Sequence, residues 1–318
     1  RGLPKSQSVE RYIEALKTGM HDVLFDDLMI HGSAALRGVL VAPEAGRIGV
    51  ADLSNIEGRA NAWLAGEDWK LDAFSAFDRG LGPDLYNVTA GQILGKGPYD
   101  VSRTERNGFG KIPELALGYA GGVGAFQQFA RAYRIKMADH WGAIQASVHP
   151  RFVDMAGENW EAWGRERNAG GASQAEWIAS ETVKLAWRDR HPAIVDLWSS
   201  CETAARSSIK NPGREYDAGE HLQFSVRRHA GARYLLVEMP SGNYMTYFEP
   251  YIEDDTLMYS GTHALTRQWT RLHTYGGKLV ENVCQSLSRD ILAENMRHVE
   301  DAGYTIVLTV HDEVVTEM

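Results

Sequence analysis

Cysteine is scarce in this sequence, since only Cys201 and Cys284 occur among 318 residues. Two isolated cysteines provide neither a disulfide framework nor a cysteine-based zinc site, and they favour a reducing, cytoplasmic setting. Long apolar runs are also missing: no stretch of about 18 apolar residues occurs, so no membrane span is predicted. The first five residues lack the apolar core of a secretory signal.

An excess of positive charge is absent as well, because the chain carries a net charge of −9. This balance argues mildly against nucleic-acid binding, which depends on lysine and arginine. A local basic groove can nevertheless bind DNA on an otherwise acidic surface, so the motifs must decide. With 44% hydrophobic and 24% charged residues, the composition is that of an ordinary globular protein, and the chain is long enough for more than one lobe.

Periodicity predicts several regular elements in the first third of the chain. Ser8 is placed to cap a helix that ends at Gly19. Residues 47–53 alternate in hydrophobicity and predict a strand, and residues 56–65 predict the helix that follows it. A further helical stretch is predicted over residues 103–119, although its glycines and its proline weaken the pattern.

The middle of the chain, residues 123–230, predicts a mainly helical region that is rich in tryptophan. Tryptophans can stack on bases, but large anchors of a helical core are the better interpretation. Residues 234–239 and 244–248 predict a β-hairpin across the turn between them. We therefore expect a helical lobe followed by a hairpin.

The C-terminal third carries the clearest pattern. Apolar residues between Leu279 and Val299 fall near one face of a long helix, which Gly303 closes. Residues 304–310 and 314–315 then predict two short strands, with the charged triplet 311–313 at the turn between them. The last element is therefore expected to be a hairpin that carries ionisable side chains at its tip.

Asp52 and Asp312 are the candidate metal ligands. Asp52 ends an apolar strand and Asp312 lies at the tip of the predicted hairpin, settings in which a lone charge is costly. If the two carboxylates meet, they offer the oxygen ligands that Mg²⁺ prefers. Two such ions about 4 Å apart activate a hydroxyl and neutralise a leaving pyrophosphate. Each aspartate taken alone is more often a helix cap or a turn residue.

Four segments of the sequence, taken in order, resemble the motifs of family A DNA polymerases. Residues 52–59 read DLSNIEGR and resemble the first catalytic motif, Asp-x-Ser-x-x-Glu-x-Arg. Residues 110–122 read GKIPELALGYAGG and resemble the second motif, the nucleotide-binding fingers helix. Residues 310–313 read VHDE and resemble the third motif, and residues 276–285 read GGKLVENVCQ and resemble the helix before it. These segments are most similar to the bacteriophage-type branch of the family.

The resemblance implies a catalytic metal site. Asp52 and Asp312 match the metal-binding aspartates of the family, and the carbonyl of Leu53 matches the backbone ligand. The implied cofactors are two Mg²⁺ ions, for which Mn²⁺ can substitute. Glu313 matches the acidic residue beside the second aspartate, and His311 matches a group that contacts the primer-template near its growing end.

Other positions match residues that bind the nucleotide or the DNA. Lys111 matches the fingers lysine that contacts the triphosphate and is a candidate proton donor to the pyrophosphate. Tyr119, eight residues on and so on the same helical face, matches the tyrosine near the templating position. Glu57 matches the residue that crowds the sugar 2′ position, and Leu115 lies where many relatives carry an aromatic that packs on the sugar. Gln285 matches a primer-template contact.

The sequence departs from the family pattern in its second motif. The family places an arginine four residues before the fingers lysine, where this chain has Asn107. Either Arg106 takes the phosphate-binding role through a local bulge, or Arg103 does, or the grip on the triphosphate is weaker. Pro113 is tolerated only near a helix start. The distance from Tyr119 to Gln285 is longer than in the bacterial relatives, which predicts an inserted helical part of the fingers within residues 123–233.

These observations predict an α+β protein with the right-hand architecture of polymerases. A palm with an antiparallel sheet is expected from residues 1–66 and 233–318, and a mainly helical fingers subdomain from residues 67–232. Neither a thumb nor an exonuclease domain is evident in the sequence. We therefore expect the chain to correspond to the central part of a longer polymerase.

The resemblance implies template-directed DNA synthesis, in which a primer 3′-hydroxyl attacks a deoxynucleoside triphosphate paired to a DNA template. The implied partners are primer-template DNA and deoxynucleoside triphosphates. A single-subunit RNA polymerase is one alternative, which Glu57 and Glu313 disfavour. A non-catalytic, polymerase-derived DNA-binding scaffold is another. The displaced arginine favours it, whereas Asp52, Lys111 and Asp312 oppose it because binding alone needs no metal carboxylates.

Overall fold

The computed structural model describes residues 9–25, 28–44, 46–168 and 170–318, so the predicted helix cap Ser8 lies outside the described residues. In chain order the α-helices are α1 (Val9–Lys17), α2 (His21–Leu24), α3 (Leu28–Ala35), α4 (Ile56–Ala65), α5 (Asp68–Asp78), α6 (Leu85–Leu94), α7 (Arg103–Glu105), α8 (Ile112–Leu117), α9 (Val123–Ala132), α10 (Trp141–Ser147), α11 (Pro150–Asn159), α12 (Gln174–Arg190), α13 (Pro192–Lys210) and α14 (Gly276–Asp301).

The strands are β1 (Ile48–Asp52), β2 (Glu215–Ala218), β3 (Leu222–His229), β4 (Ala232–Glu238), β5 (Tyr244–Glu253), β6 (Thr256–Thr262), β7 (Trp269–Thr274), β8 (Thr305–Val310) and β9 (Glu313–Glu317). All the pairs that these strands form are antiparallel, so the predicted α+β class with an antiparallel sheet is confirmed. Among the described helices, none is both long and apolar enough to cross a membrane.

The chain divides into two compact units. One comprises the described residues of Arg1–Leu53 together with Leu292–Met318, and the other comprises Ser54–Ile291. The long helix α14 contributes residues to both. This division follows compactness, whereas the palm-and-fingers scheme follows the polymerase motifs, and the boundaries of that scheme stay a prediction.

The first unit contains a three-stranded sheet in the order β1-β9-β8. The central strand β9 carries the apolar core of the sheet, with Val314 and Val315 buried. Its register with β1 places Ile48 opposite Glu317 and Asp52 opposite Glu313. The predicted strand before the first motif and the two predicted strands around the third motif are therefore confirmed, and β9 pairs with both of the others.

The second unit has a helical part whose core contains four of the nine tryptophans. Trp160, Trp177, Trp187 and Trp198 are each less than 9% exposed. Trp187 and Trp198 belong to the main core cluster together with residues of α8 and α14. Their burial confirms the interpretation of these side chains as core anchors, because a buried ring has no face left for a base.

The second unit also contains a six-stranded sheet in the order β2-β3-β4-β5-β6-β7. The predicted hairpin is confirmed as β4 and β5. The prediction of helix up to residue 230 is wrong beyond Lys210, because β2 and β3 follow α13. In β3 the apolar residues Leu222, Phe224 and Val226 alternate with polar ones and pack against α13, which is the pattern of a half-buried strand.

Candidate active site

Asp52 and the 311–313 turn lie side by side at one end of the β1–β9 pair. Asp52 is opposite Glu313 in the register, and the backbone N–H of Leu53 donates a hydrogen bond to the carbonyl of Asp312 at 3.0 Å. Paired strands run about 4.8 Å apart, so residues from opposite ends of the sequence become neighbours. The structure thus brings together the predicted site residues of the first unit: Asp52, Leu53, His311, Asp312 and Glu313.

The turn between β8 and β9 depends on the backbone of His311. This residue has φ of +61°, in the left-handed region where histidine is more frequent than most non-glycine residues. The positive φ lets the chain reverse within the charged triplet. His311 Nδ1 lies 3.1 Å from Asp312 Oδ1, and the carboxylate is the acceptor of that contact. The imidazole therefore helps to orient the second aspartate.

The exposure of Asp52 corrects one expectation. Asp52 is exposed, since β1 is an edge strand whose last three residues face solvent, so its charge is not in a costly environment. The Asp312 side chain is 30% exposed, while Glu313 is 8% exposed. The two aspartates can therefore be reached by ions and phosphates from solution, and Glu313 is the member of the group that is held inside.

The donor set of this group fits a hard divalent cation. Two carboxylates and the Leu53 carbonyl are oxygen ligands, which Mg²⁺ prefers, and Mg²⁺ commonly completes its shell with water and substrate phosphates. No cluster of three or more histidine, cysteine, aspartate or glutamate side chains is arranged to hold a metal within the described ranges.

The segment that contains the second motif has a π-helical turn over Arg106–Lys111, between α7 and α8. In a π-helix the i→i+5 hydrogen bond inserts one residue per turn, so residues five apart come to lie above one another. Arg106 and Lys111 are five apart. The local bulge that one of the alternatives required is therefore present.

The π-helical turn is packed tightly through its glycines. A Cβ on Gly110 would lie 2.0 Å from the Tyr86 carbonyl, and one on Gly108 would lie 2.1 Å from Ile135 Cδ1. At Gly110 the obstacle is the backbone of Tyr86, so only glycine lets the turn approach it, whereas at Gly108 the obstacle is the movable end of the Ile135 side chain. Gly110, one of the glycines that weakened the helix prediction, is thus what allows the bulge to form in place.

Arg106 already has partners within the second unit. Its Nε donates to Asp84 Oδ2 at 2.6 Å, and its guanidinium lies 4.9 Å from the centre of the Tyr86 ring. Asp84 also caps α6 by accepting from the backbone N–H of Asn87. These contacts fix the position of the guanidinium while leaving it partly exposed. By contrast, the alternative Arg103 is exposed on α7.

Lys111, Leu115 and Tyr119 form one partly exposed stripe along this segment. From Gly108 to Tyr119 these three residues are half-buried, and all the others are buried. A spacing of four and eight residues keeps them on one face of a helix. The predicted sharing of a face by Lys111 and Tyr119 is therefore confirmed, and this stripe is the side of the segment that a ligand can reach.

Tyr119, which follows the end of α8, contacts two other helices of the second unit, α4 and α14. Its hydroxyl donates to the Glu57 carbonyl at 3.5 Å, at the start of α4. Burial, followed by the neighbouring Cys284 and Glu57, raises the pKa of Tyr119, so the phenol stays neutral. A Cβ on Gly277 would lie 2.4 Å from the Tyr119 carbonyl, which explains the glycine at the start of α14. Glu57, Tyr119 and α14 are thus brought together.

Gln285 lies on the exposed side of α14, next to a short polar network. Its Nε2 lies 3.5 Å from Glu281 Oε1, and Lys278 Nζ donates to Glu281 Oε2 at 2.9 Å. On the same helix, Cys284 is buried and contacts Tyr119. Sequence reasoning included Cys284 in a motif but gave it no role, because a lone buried cysteine carries no signal of its neighbour.

Behind the exposed stripe, Glu114 is the centre of a buried polar network that the sequence did not predict. Lys70 Nζ donates to Glu114 Oε2 at 2.5 Å. The other carboxylate oxygen accepts from Thr89 at 2.9 Å and from the Trp187 indole at 3.1 Å. Burial raises the pKa of Glu114, but Lys70, His191 and these hydrogen bonds together hold it below its usual value. The carboxylate therefore stays charged inside the protein and anchors α8.

His191 belongs to the same network as a neutral imidazole. Its Nδ1 donates to the Trp187 carbonyl at 2.7 Å, and its Nε2 lies 3.6 Å from Glu114 Oε1. Burial lowers the pKa of His191 from 6.5 to about 4, against the opposing charge of Glu114. Folding therefore excludes a proton that the unfolded chain binds between these two pH values.

We expect the free energy of unfolding to fall as pH drops from 6.5 towards 4, by up to about 1.4 kcal/mol per pH unit from this group alone. His191→Gln removes the titrating group and should flatten that slope. Urea unfolding at several pH values measures it. His298→Gln, which alters an exposed histidine, is the control and should leave the slope unchanged. Equal slopes for His191→Gln and the unaltered chain would show that His191 does not exclude the proton.

Comparisons with known proteins found similarity to two polymerases. A DNA polymerase of Bacillus phage SP02 is 31% identical over 327 aligned positions, which cover 99% of this chain and 42% of that protein. The POL domain of Pol1 from M. smegmatis, solved in complex with DNA primer-template and dNTP, has a TM-score of 0.49 and 16% identity, covering 93% of this chain and 37% of that one. No family model matches the sequence.

The chain is therefore a polymerase homologue, related over nearly its whole length to a bacteriophage DNA polymerase. This relationship confirms the resemblance to family A DNA polymerases of the bacteriophage type that the four motifs indicated. The chain spans less than half of the length of its phage relative.

Proposed function

We propose that this chain forms the catalytic part of a template-directed DNA polymerase, which adds deoxynucleotides to the 3′ end of a primer. The observation that carries the proposal is the pairing of β1 with β9, which sets Asp52 beside the 311–313 turn. The phage relative supports the same reaction class. In this proposal residues 1–66 and 233–318 act as the palm, and residues 67–232 act as the fingers.

The metal site of this proposal consists of Asp52, Asp312 and the Leu53 carbonyl. Divalent cations are general cofactors of DNA polymerases, and the oxygen donors favour Mg²⁺ among them. Bound there, two Mg²⁺ ions would supply the charge that activates the primer hydroxyl and neutralises the pyrophosphate. His311 orients Asp312 through its 3.1 Å contact, and Glu313 stays inside the hairpin as the opposite partner of Asp52.

The triphosphate is bound in this proposal by the exposed stripe and by the π-helical turn. The Lys111 ammonium provides a positive charge on the accessible face, and it is the candidate proton donor to the leaving pyrophosphate. In this proposal the bulge lets Arg106 take the place of the family's phosphate-binding arginine, and Asp84 already orients its guanidinium. Phosphoryl transfer depends on such fixed charges and on in-line positioning more than on covalent help. Leu115 packs against the nucleotide sugar.

Lys111→Ala should slow incorporation strongly and weaken nucleotide binding, with little change in DNA affinity, because the lysine charge acts on the triphosphate. Single-turnover primer extension at increasing nucleotide concentration separates the two effects. Lys136→Ala, which removes an exposed lysine outside the stripe, is the control and should behave as the unaltered chain. A loss of DNA affinity with normal nucleotide kinetics would instead make Lys111 a contact to the DNA backbone.

Glu57 is the proposed sugar gate. It follows Asp52 by five residues and lies in the first turn of α4, beside the Tyr119 hydroxyl. A half-buried glutamate held there fills space next to a nucleotide whose sugar packs on Leu115. A ribose 2′-hydroxyl would then have to be desolvated and would clash with the side chain.

Glu57→Ala should admit ribonucleotides far more readily, at some cost to deoxynucleotide insertion. Glu57→Gln keeps the volume of the side chain and is the matched control, which should keep most of the discrimination. The measurement is the ratio of kcat/KM for deoxy- and ribonucleotides in all three proteins. Glu57 could instead act only through a favourable interaction with the helix dipole, worth at most about 1 kcal/mol. In that case Glu57→Ala would lower the stability slightly and leave the ratio unchanged.

The remaining assignments concern partners and location. Tyr119 lies near the templating position in this proposal, and Gln285 and His311 contact the primer-template close to its growing end. The exposure of Gln285 on α14 supports that role. Both cysteines are unpaired and buried, which supports a cytoplasmic location, in the host cell if the protein is viral.

A further inference from the structure

The six-stranded sheet β2–β7 has two faces of different character. On the inner face Phe224, Leu235, Val237 and Leu257 are buried in the main core. The residues that alternate with them point to the opposite side, and there the side chains are mostly half-exposed or exposed. The outer face is therefore a broad surface within the second unit that core packing does not explain.

A row of directly opposed residues crosses this outer face. Arg227 is opposite Tyr234, Tyr234 is opposite Phe248, Phe248 is opposite Ser260, and Ser260 is opposite Arg271. Directly opposed residues project from the same face, and neighbouring strands lie about 4.8 Å apart, so the row spans about 19 Å. We call these five residues the transverse row. It places aromatic rings in the centre and one guanidinium towards each end.

Aromatic contacts extend the transverse row to the last strand. The Tyr234 and Phe248 rings lie 5.4 Å apart, and the Phe248 and Trp269 rings lie 5.7 Å apart, both edge to face. Trp269 is nevertheless 64% exposed. The rings thus support one another on the sheet while the indole keeps an open surface, which is the arrangement that bases use for stacking on proteins.

Both arginines of the row are paired with exposed carboxylates. Arg227 contacts Glu215 at 2.5 Å and Arg271 contacts Glu253 at 3.8 Å, and all four side chains are about half exposed or more. Exposed ion pairs contribute little, so a phosphate can replace either carboxylate. The guanidinium fork matches a phosphate in two-pronged geometry. Once a phosphate has displaced the carboxylate, the guanidinium at each end of the row binds a polyanion whose bases cross the centre.

We propose that the outer face of this sheet binds single-stranded DNA, with bases stacked on Trp269 and the transverse row and with phosphates held by Arg227 and Arg271. The proposal rests on the proposed function, since the single strand in question is the unpaired template of a polymerase. Duplex DNA hides the faces of its bases in the stack, so the surface favours the single strand.

The test measures the affinity for fluorescein-labelled oligodeoxythymidylate of about 16 nucleotides by anisotropy, without metal or nucleotide. Trp269→Ala should weaken binding by about 5- to 100-fold, and Trp269→Phe should restore most of it. Arg227→Gln with Arg271→Gln should lower the dependence of affinity on salt by about 0.7 in log–log slope for each phosphate that the protein no longer neutralises. Tyr99→Ala, which removes a 77% exposed aromatic elsewhere in the second unit, is the control.

Equal affinities of Trp269→Ala and Tyr99→Ala would overturn the proposal, and so would a salt slope that the arginine changes leave untouched. Extension of a primer on a template with one unpaired base does not need this surface. A Trp269→Ala protein that extends such a primer normally but no longer binds the single strand supports the proposal. If the unaltered chain binds the single strand but extends no primer, and Trp269→Ala does not bind the single strand, the result supports the binding surface and contradicts the polymerase proposal.

Discussion

Asp312→Asn should reduce primer extension by about 10³-fold or more while leaving the fold intact. The amide has the size of the carboxylate but lacks its charge, so it holds a metal ion poorly. A bound metal ion stabilises the charge of the transition state by several kcal/mol, and each 1.4 kcal/mol is worth about tenfold in rate. The side chain is 30% exposed and the bond that ties the turn to β1 uses the Asp312 backbone, so the sheet should survive. Single-turnover extension with Mg²⁺ measures the loss.

The matched control for Asp312→Asn lies in the same strand pair. Glu317→Gln removes one exposed carboxylate at the opposite end of the β1–β9 register and should extend primers normally. Asp52→Asn should behave as Asp312→Asn does, because both carboxylates belong to one site. Turnover near normal in either aspartate variant, with unchanged dependence on metal concentration, would remove the two-metal assignment.

Lys70→Met should lower the free energy of unfolding by about 3–5 kcal/mol, the usual cost of leaving one partner of a buried ion pair uncompensated. Lys70 is 2% exposed, and its ammonium is the positive charge 2.5 Å from Glu114. Without it, the carboxylate keeps only the neutral donors Thr89 and Trp187 and must take up a proton or carry a buried charge. Urea unfolding followed by circular dichroism measures the change.

Two further variants test the cause of that loss. Adding Glu114→Leu to Lys70→Met removes both charges, and it should recover much of the stability because a pair replaced by apolar residues leaves no unpaired ion. Arg151→Gln breaks the exposed Arg151–Asp189 pair and should change stability by no more than about 1 kcal/mol. If Lys70→Met costs as little as Arg151→Gln, the network does not anchor α8.

The elements that surround the motifs were predictable because each has a single strong period. The helix 56–65 matches α4 in both bounds, and the alternation before Asp52 predicts β1. The long apolar face before Gly303 likewise predicts α14. The two helices have buried residues where the pattern predicts them, so local pattern and tertiary packing agree there. β1 has no fully buried residue, so its agreement rests on the alternation alone.

The sheet β2–β7 was largely missed because its pattern is weaker. In β7, which reads WTRLHT, one face is polar and aromatic and the other is only partly buried, so no clear alternation of apolar residues appears. In β3 the alternation of apolar residues is present, but the strand follows two long helices, and the predicted helical region extended over it. Only the hairpin with the Pro-Ser-Gly-Asn turn carried a signal strong enough to be recognised.

The candidate site was predictable as a set of residues but not as a geometry. The spacing of Lys111 and Tyr119 predicts a shared face, and both side chains belong to the partly exposed stripe. The spacing of Arg106 only raised the possibility of a bulge, and the π-helical turn resolves it. The contact of Lys70 with Glu114 has no local signal, because charged residues are normally solvated and the two lie in different helices.

Template-directed incorporation is the measurement that tests the central claim most directly. Each of the four deoxynucleoside triphosphates is offered singly, with Mg²⁺, to a primer annealed to four templates that differ only in the first unpaired base. The account predicts extension by one nucleotide only where the triphosphate complements that base, and none in Asp312→Asn. Binding of the primer-template without any extension, or extension that ignores the template base, would contradict it.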